Sequence, residues 1–213
     1  MTKFLPRNRA ALLCVIYAVA AVSLVTANLC AIKNESVLGL TLGGGIVTIV
    51  TDYILSDVTA EVFGLRKALA VRRAAMLCNV FSVIILQLAV WLPADPEFAI
   101  NGEFSTIFTA APLMVVASMA AYMCGTYVND RVVQAMHDRD GERGLFSRCI
   151  LSTVFGGLVD TAVFTVIAYG LTYSALSNIE NTLLTYALKI FVEVAVFHLV
   201  TKHIIAWAKK LPE

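Results

Sequence analysis

Charged side chains that fall inside long apolar runs need a partner or a task, because a charge at the centre of a bilayer costs roughly 2.5 to 3.5 kcal/mol on insertion scales. Three groups here meet that description. The first lies in TDYILSDVTAEVFGLRK, Thr51 to Lys67, which carries Asp52, Asp57 and Glu61. Asp57 and Glu61 are four residues apart, so a helix sets them about 40 degrees apart on one face, while Asp52 falls on another side. The second is STVFGGLVDTAVFTVIAYG, where Ser152, Gly156, Asp160, Phe164 and Ala168 recur every fourth residue with the acid in the middle. Gly156 and Gly157 let another backbone or a flat ligand come close. The third is YALKIFVEVAVFHL, which again sets a pair four apart, Lys189 and Glu193. Asp160 and Glu193 are two acids for one base, which leaves a carboxylate for a ligand, a proton or an ion. Each group also has a structural alternative. Asp57 and Glu61 can be interfacial acids paired to Arg66, Lys67, Arg72 or Arg73 as an anchor or gate, Asp160 can sit on a packing face, and Lys189 and Glu193 can neutralise each other.

Several uncharged polar residues accompany these groups: Asn28, Asn79, Gln87, Ser118, Tyr122 and Asn129. Any of them can hydrogen-bond between helices, and for each one alone packing is the first expectation. Other chemistry finds little footing. The glycines Gly43, Gly44 and Gly45 are not followed by the Lys-Ser or Lys-Thr of a phosphate loop and read as an irregular helix start. No HExxH or GxSxG occurs, so the chain does not read as an enzyme; Ser152 with Lys189 is the one nucleophile and base pair to weigh against that. His198 and His203 have no third ligand nearby, and the five cysteines are scattered without a CxxC pair, so no metal or other cofactor is expected. A net charge of +1 and the lack of an RNA-recognition motif give no reason to expect nucleic acid.

The elements that must position these side chains are membrane helices. The 213 residues are 59% hydrophobic and only 15% charged, against roughly 25% charged in soluble domains. Six apolar runs approach the roughly 20 residues that span a bilayer: Ala10 to Ile32, Leu40 to Val62, Ala68 to Trp91, Phe108 to Val128, Phe146 to Tyr173 and Thr182 to Ala208. The first is too long for a cleaved signal core and reads as a membrane helix. Basic residues gather at the N-terminus, in the second and fourth connections and at the C-terminus, and only Lys33 lies on the opposite side. Cytoplasmic flanks collect Lys and Arg, so both termini are expected inside. HDRDGERG, His137 to Gly144, is expected as a solvated turn between the fourth and fifth helices. The fold expected is all-α, polytopic with six transmembrane helices, and residues 1–213 form a single transmembrane domain.

The segments TANLCAIK, SDVTAEVFG, STVFGGLVDTAVFTVIAY and YALKIFVEV, with CN at Cys78 to Asn79, QLAVWLPA at Gln87 to Ala94 and ASMAAYMCGTYVN at Ala117 to Asn129, resemble the queuosine precursor transporter family, also called the vitamin uptake transporter family. The likeness covers about residues 20 to 205. It implies a six-helix importer in the bacterial inner membrane for 7-deazaguanines such as 7-cyano-7-deazaguanine or 7-aminomethyl-7-deazaguanine, with queuine a further candidate, salvaged for tRNA modification. Positions that match the family pattern are Asn28, Asp57, Glu61, Gly64, Asn79, Gln87, Ser118, Asn129, Ser152, Gly156, Asp160, Lys189 and Glu193. Gly157 stands where many relatives carry Gln, and Val196 and Phe197 stand where they carry Thr-Pro. A guanine-like base offers adjacent N–H and NH2 donors that a carboxylate accepts together. Glu193 or Asp160 fits that role, Gln87, Asn79 or Lys189 can donate to the ring carbonyl, and Phe164 or Tyr122 can stack on the flat face. Asp57, Glu61, Asn28 and Asn129 are then candidates for gating or coupling. Midplane polar residues suit alternating access. The chief alternative is a substrate-capturing subunit that needs a separate ATP-driven module; a homodimer is left open, and Asp52 has no assigned role.

Overall fold

A computed structural model describes residues 6–37, 40–140, 145–170 and 172–212. In chain order these form α1 (Arg9–Cys30), a hairpin of β1 (Asn34–Val37) and β2 (Leu40–Gly43), a 3-10 turn (Gly44–Thr48), α2 (Ile49–Phe63), α3 (Leu65–Trp91), α4 (Asn101–Asp140), α5 (Leu145–Tyr169), α6 (Ala175–Val196), a π-helical turn (Phe197–Thr201) and α7 (Lys202–Ala208). Among the described residues, four stretches are long and apolar enough to cross a membrane: Arg9–Cys30, Leu65–Trp91, Asn101–Met136 and Ala175–Ala208. Val154–Tyr169 is apolar and shorter. The chain divides into two compact units, one from Met1–Asn34, Gly43–Ala111 and Lys189–Glu213, the other from Glu35–Leu42 and Pro112–Leu188.

The expected second span, Leu40 to Val62, does not form as one helix. Its first residues belong to β2 and the 3-10 turn, and α2 has 15 residues, about 22 Å of helix against a hydrocarbon core of about 30 Å. The glycines explain why. A Cβ on Gly44 would run into the carbonyl oxygens of Cys30 and Lys33, and one on Gly45 would sit 3.0 Å from the carbonyl of Ala27. The chain therefore passes tightly across the end of α1, and it cannot wind into a regular helix until it has cleared that end.

Helix α5 ends at Tyr169, short of the expected Tyr173, and α4 and α6 differ more. Helix α4 has 40 residues and overruns the expected Phe108 to Val128 on both sides. His137 to Asp140, expected in a turn, are its last residues, and 141–144 lie outside the described residues. No glycine or proline interrupts Asn129 to Asp140, and Gln134 donates to the Asp138 carboxylate at 2.8 Å one turn on. The last run starts seven residues early, at Ala175, because the Ser174 hydroxyl accepts the Ser177 amide at 3.2 Å as an N-cap does. It then continues through the π turn into α7.

In the first unit, Leu12 and Ile16 of α1, Val58 of α2, Val71 of α3 and Ile205 and Ala208 of α7 form a buried apolar cluster. Early residues of α1 and α3 meet late residues of α2 there, so α1 and α3 run in one direction and α2 in the other. The ends are tied as well. The Arg9 amide and guanidinium donate to the carbonyls of Pro212 and Lys209, at 2.8 and 2.9 Å. Between α2 and α3, Gly64 has φ 83° and ψ 164°, a region open in practice only to glycine. Nothing lies within 4 Å of a Cβ placed there, so a substitution meets backbone strain and no clash. Gly64→Ala is expected to cost roughly 1 to 2 kcal/mol of stability, read as a lower unfolding midpoint in detergent; an unchanged midpoint would show that the turn relaxes freely.

Candidate functional site

The buried faces of α1 and α3 change character along their length. On α1 the sequence is Leu12, Ile16, Ser23, Asn28, and on α3 it is Val71, Ala75, Asn79. Both begin apolar and become polar. At a rise of about 1.5 Å per residue, Ser23 lies about 10 Å along α1 from Ile16, Asn79 about 12 Å along α3 from Val71, and Asp52 about 9 Å along α2 from Val58. Measured from the shared apolar cluster, Ser23, Asp52 and Asn79 occupy one layer. The Ser23 hydroxyl donates to the Asp52 carboxylate at 2.7 Å, and the positive charges of Arg72 and Lys189 attract the same carboxylate. Asn79 is 1% exposed, and its side-chain nitrogen has no hydrogen-bond partner among the described residues. A buried donor left unpaired costs about 1 to 3 kcal/mol, so Asn79 is the part of this layer with capacity to spare. Asn28, one turn further along α1, donates to the Leu24 carbonyl at 3.2 Å.

Asp57, Glu61 and Glu193 make an acidic group in the same unit. Asp57 repels both Glu61 and Glu193. Glu61 is paired, but its partner is Lys209 of the C-terminal segment, at 3.1 Å with both side chains half exposed, where sequence reasoning looked to Arg66, Lys67, Arg72 or Arg73. An exposed pair of this kind contributes about 0 to 1 kcal/mol. Lys189 and Glu193 thus share a unit with the acids of α2: the structure sets the charge of Lys189 near Asp52 and that of Glu193 near Asp57. Gln87 is engaged with main chain, its amide nitrogen donating to the carbonyl of Phe108 at 2.6 Å.

Asp160 belongs to the second unit. There Ser118, Tyr122, Gly125 and Asn129 recur at spacings of four, three and four on one face of α4, and that face meets α5 through glycine. A Cβ on Gly125 would lie 2.9 Å from both the Gly156 carbonyl and the Asp160 Cβ, and one on Gly156 would lie 2.9 Å from the Gly125 carbonyl and 3.0 Å from the Asn129 Cβ. The spacing around Asp160 therefore forms a close helix contact, with Asp160 and Asn129 at its border. Phe164 packs edge-on to Tyr169, ring centroids 5.9 Å apart. Gly157 makes room for Tyr186, whose ring edge lies 3.4 Å from a Cβ placed there and whose hydroxyl donates to the Val154 carbonyl at 2.6 Å. The side chain of Ser152 lies outside the described residues.

Sequence reasoning missed the Ser23 to Asp52 bond and the Glu61 to Lys209 pair. The signal for the first was Asp52 itself, an acid in an apolar run with no basic residue one turn away. The second joins residues 148 positions apart, and nothing local points to it. Gly125, four before Asn129 on the same face, was legible as a packing glycine and went unread.

No curated protein and no solved structure matches the chain. A family model described as "Putative vitamin uptake transporter" matches residues 43–204, more than half of the 213. That stretch runs from the end of β2 into the start of α7 and contains Asp52, Asn79, the Gly125 and Gly156 contact, Asp160, Lys189 and Glu193. With its apolar helices and charges held inside them, the chain belongs to this vitamin uptake transporter family, multi-pass membrane proteins that take up small molecules.

Proposed function

We propose that the protein imports 7-deazaguanine precursors of queuosine across a bacterial inner membrane by alternating access, as a six-span chain with both termini in the cytoplasm. The observation that carries the substrate class is the resemblance of seven segments to queuosine precursor transporters, three of them holding the acids and the base at matching positions. The chemistry of the side chains supports it. A flat base with a ring carbonyl suits the buried, unpaired Asn79 amide, and its N–H and NH2 edge suits a carboxylate, Asp160 or Glu193. Ser118, Tyr122, Ser152, Gly156, Phe164 and Lys189 complete the proposed binding set, and Asn28, Asp57, Glu61 and Asn129 the gating set.

The test is the queuosine content of tRNA in a bacterium unable to make the precursor, expressing this chain and fed one limiting 7-deazaguanine at a time. Restoration by 7-cyano-7-deazaguanine or 7-aminomethyl-7-deazaguanine is expected. Asp160→Ala or Glu193→Ala is expected to cut uptake by about 10- to 100-fold, the range set by losing a charge-assisted hydrogen bond. Unchanged uptake in both, with normal expression, would remove the acids from the site. No restoration by any base would remove the substrate class, and uptake in cells but none by the purified chain in liposomes would favour a capturing subunit over an autonomous importer.

A further inference from the structure

Helix α4 contains Pro112. In an α-helix the N–H of residue 112 bonds the carbonyl of residue 108, but proline has no N–H, so the Phe108 carbonyl loses its partner within the helix. A carbonyl left unpaired away from water is costly. The structure supplies a replacement from elsewhere in the chain: the Gln87 side-chain N–H donates to the Phe108 carbonyl at 2.6 Å, from a residue 21 positions away on α3. The bond is partly buried, and the Phe108 ring is fixed beside Phe104, centroids 4.6 Å apart. The first unit's share of α4 ends at Ala111, and the second unit's share begins at Pro112. Gln87 thus acts on the last turn of α4 before that division.

We infer that Gln87 is a positioning residue for α4: from α3 it provides the hydrogen bond that Pro112 removes, and so holds the Asn101 to Ala111 segment at the level where the helix cannot hold itself. Its amide nitrogen is committed to main chain, and its polarity in an apolar helix is explained by the proline. This account is independent of which small molecule the protein carries, because a donor spent on a carbonyl of α4 is required whatever is transported.

Pro112→Ala restores a backbone N–H opposite Phe108, which gives the test its discriminating power. Four full-length chains are compared in detergent: the parent, Gln87→Ala, Pro112→Ala and the double variant. Gln87→Ala alone is expected to shift the unfolding equilibrium about tenfold or more toward the unfolded state, and to shift it about twofold or less in the Pro112→Ala background. Uptake lost in Gln87→Ala should return in the double variant. Gln87→Met, which keeps the length and removes the donor, repeats the comparison if the alanine variant does not fold, and folding of either Gln87 variant only when combined with Pro112→Ala also supports the proposal. An equal cost of Gln87→Ala in both backgrounds, or uptake that stays lost in the double variant, overturns it, since a contact from Gln87 to substrate is not replaced by a backbone N–H on α4.

Discussion

Asp52→Ala is expected to lower the unfolding free energy of the protein by about 2 to 4 kcal/mol, read in detergent from the shift of a denaturation curve. The size follows from what is left behind. Asp52 accepts from Ser23 at 2.7 Å and lies in the fields of Arg72 and Lys189. Breaking a fully buried charge pair costs about 3 to 5 kcal/mol; the partial exposure of Asp52 and the other contacts of its partners reduce this. Two companion variants separate the contributions. Asp52→Asn keeps an acceptor for Ser23 and loses only the charge, while Ser23→Ala keeps the charge and loses one charge-assisted bond, for about 1.5 to 3 kcal/mol. Lys189→Met in the Asp52→Ala background should recover part of the loss, because it removes a cation whose attraction to Asp52 is already gone; Arg72 remains, so recovery is incomplete. A strictly additive result would mean that Lys189 and Asp52 act independently, which would overturn their electrostatic coupling.

The second large effect is expected at the α4 and α5 contact. Gly125→Leu or Gly156→Leu should cost about 3 kcal/mol or more, at the upper end of the range for overpacking, because the first added carbon already lies 2.9 Å from a main-chain oxygen. A flexible side chain can swing away from such a clash, but a helix backbone must translate as a whole. Gly125→Ala and Gly156→Ala should each cost less, and the double alanine variant should cost less than the two together. Each glycine faces the carbonyl of the other, so the separation that relieves one clash relieves both. Uptake is expected to fall with these variants even where the protein folds, since Asp160 and Asn129 border the contact and move with it. Full additivity with unchanged uptake would separate the glycine contact from the proposed site.

Both effects show how tertiary structure reassigns residues that sequence singles out. Asp57 and Glu61 were legible as neighbouring acids on one helix face because four residues make one turn, yet Glu61 pairs with Lys209, a residue that comes within reach only when α7 folds back on α2. Gln87 was legible as a polar residue in an apolar helix. Its engagement with Phe108 depends on the approach of α4 to α3, together with a proline whose missing donor is plain in the sequence but whose neighbour is not. Gly43 to Gly45 read as an irregular helix start; Gly43 closes β2, and Gly44 and Gly45 open the 3-10 turn where the chain skirts the end of α1. The long α4 and the early start of α6 were missed because apolar length was used to place helix ends. A helix stops where its backbone bonds run out, and no breaker stands at those positions.

By itself the sequence determined that this is a helical, multi-pass membrane protein, which residues carry charge within apolar runs, and which of them share a helix face. Composition sets the first through the cost of leaving backbone polar groups unpaired in lipid, and the 3.6-residue period sets the last. Tertiary structure alone decided which charges meet: Asp52 with Ser23 and the fields of Arg72 and Lys189, Glu61 with Lys209, and the backbone of Gly125 against that of Gly156. Helical periodicity reports only neighbours one turn away, whereas these contacts depend on how separate helices align along their length, which is set by the packing of apolar faces such as Leu12, Ile16, Val58 and Val71.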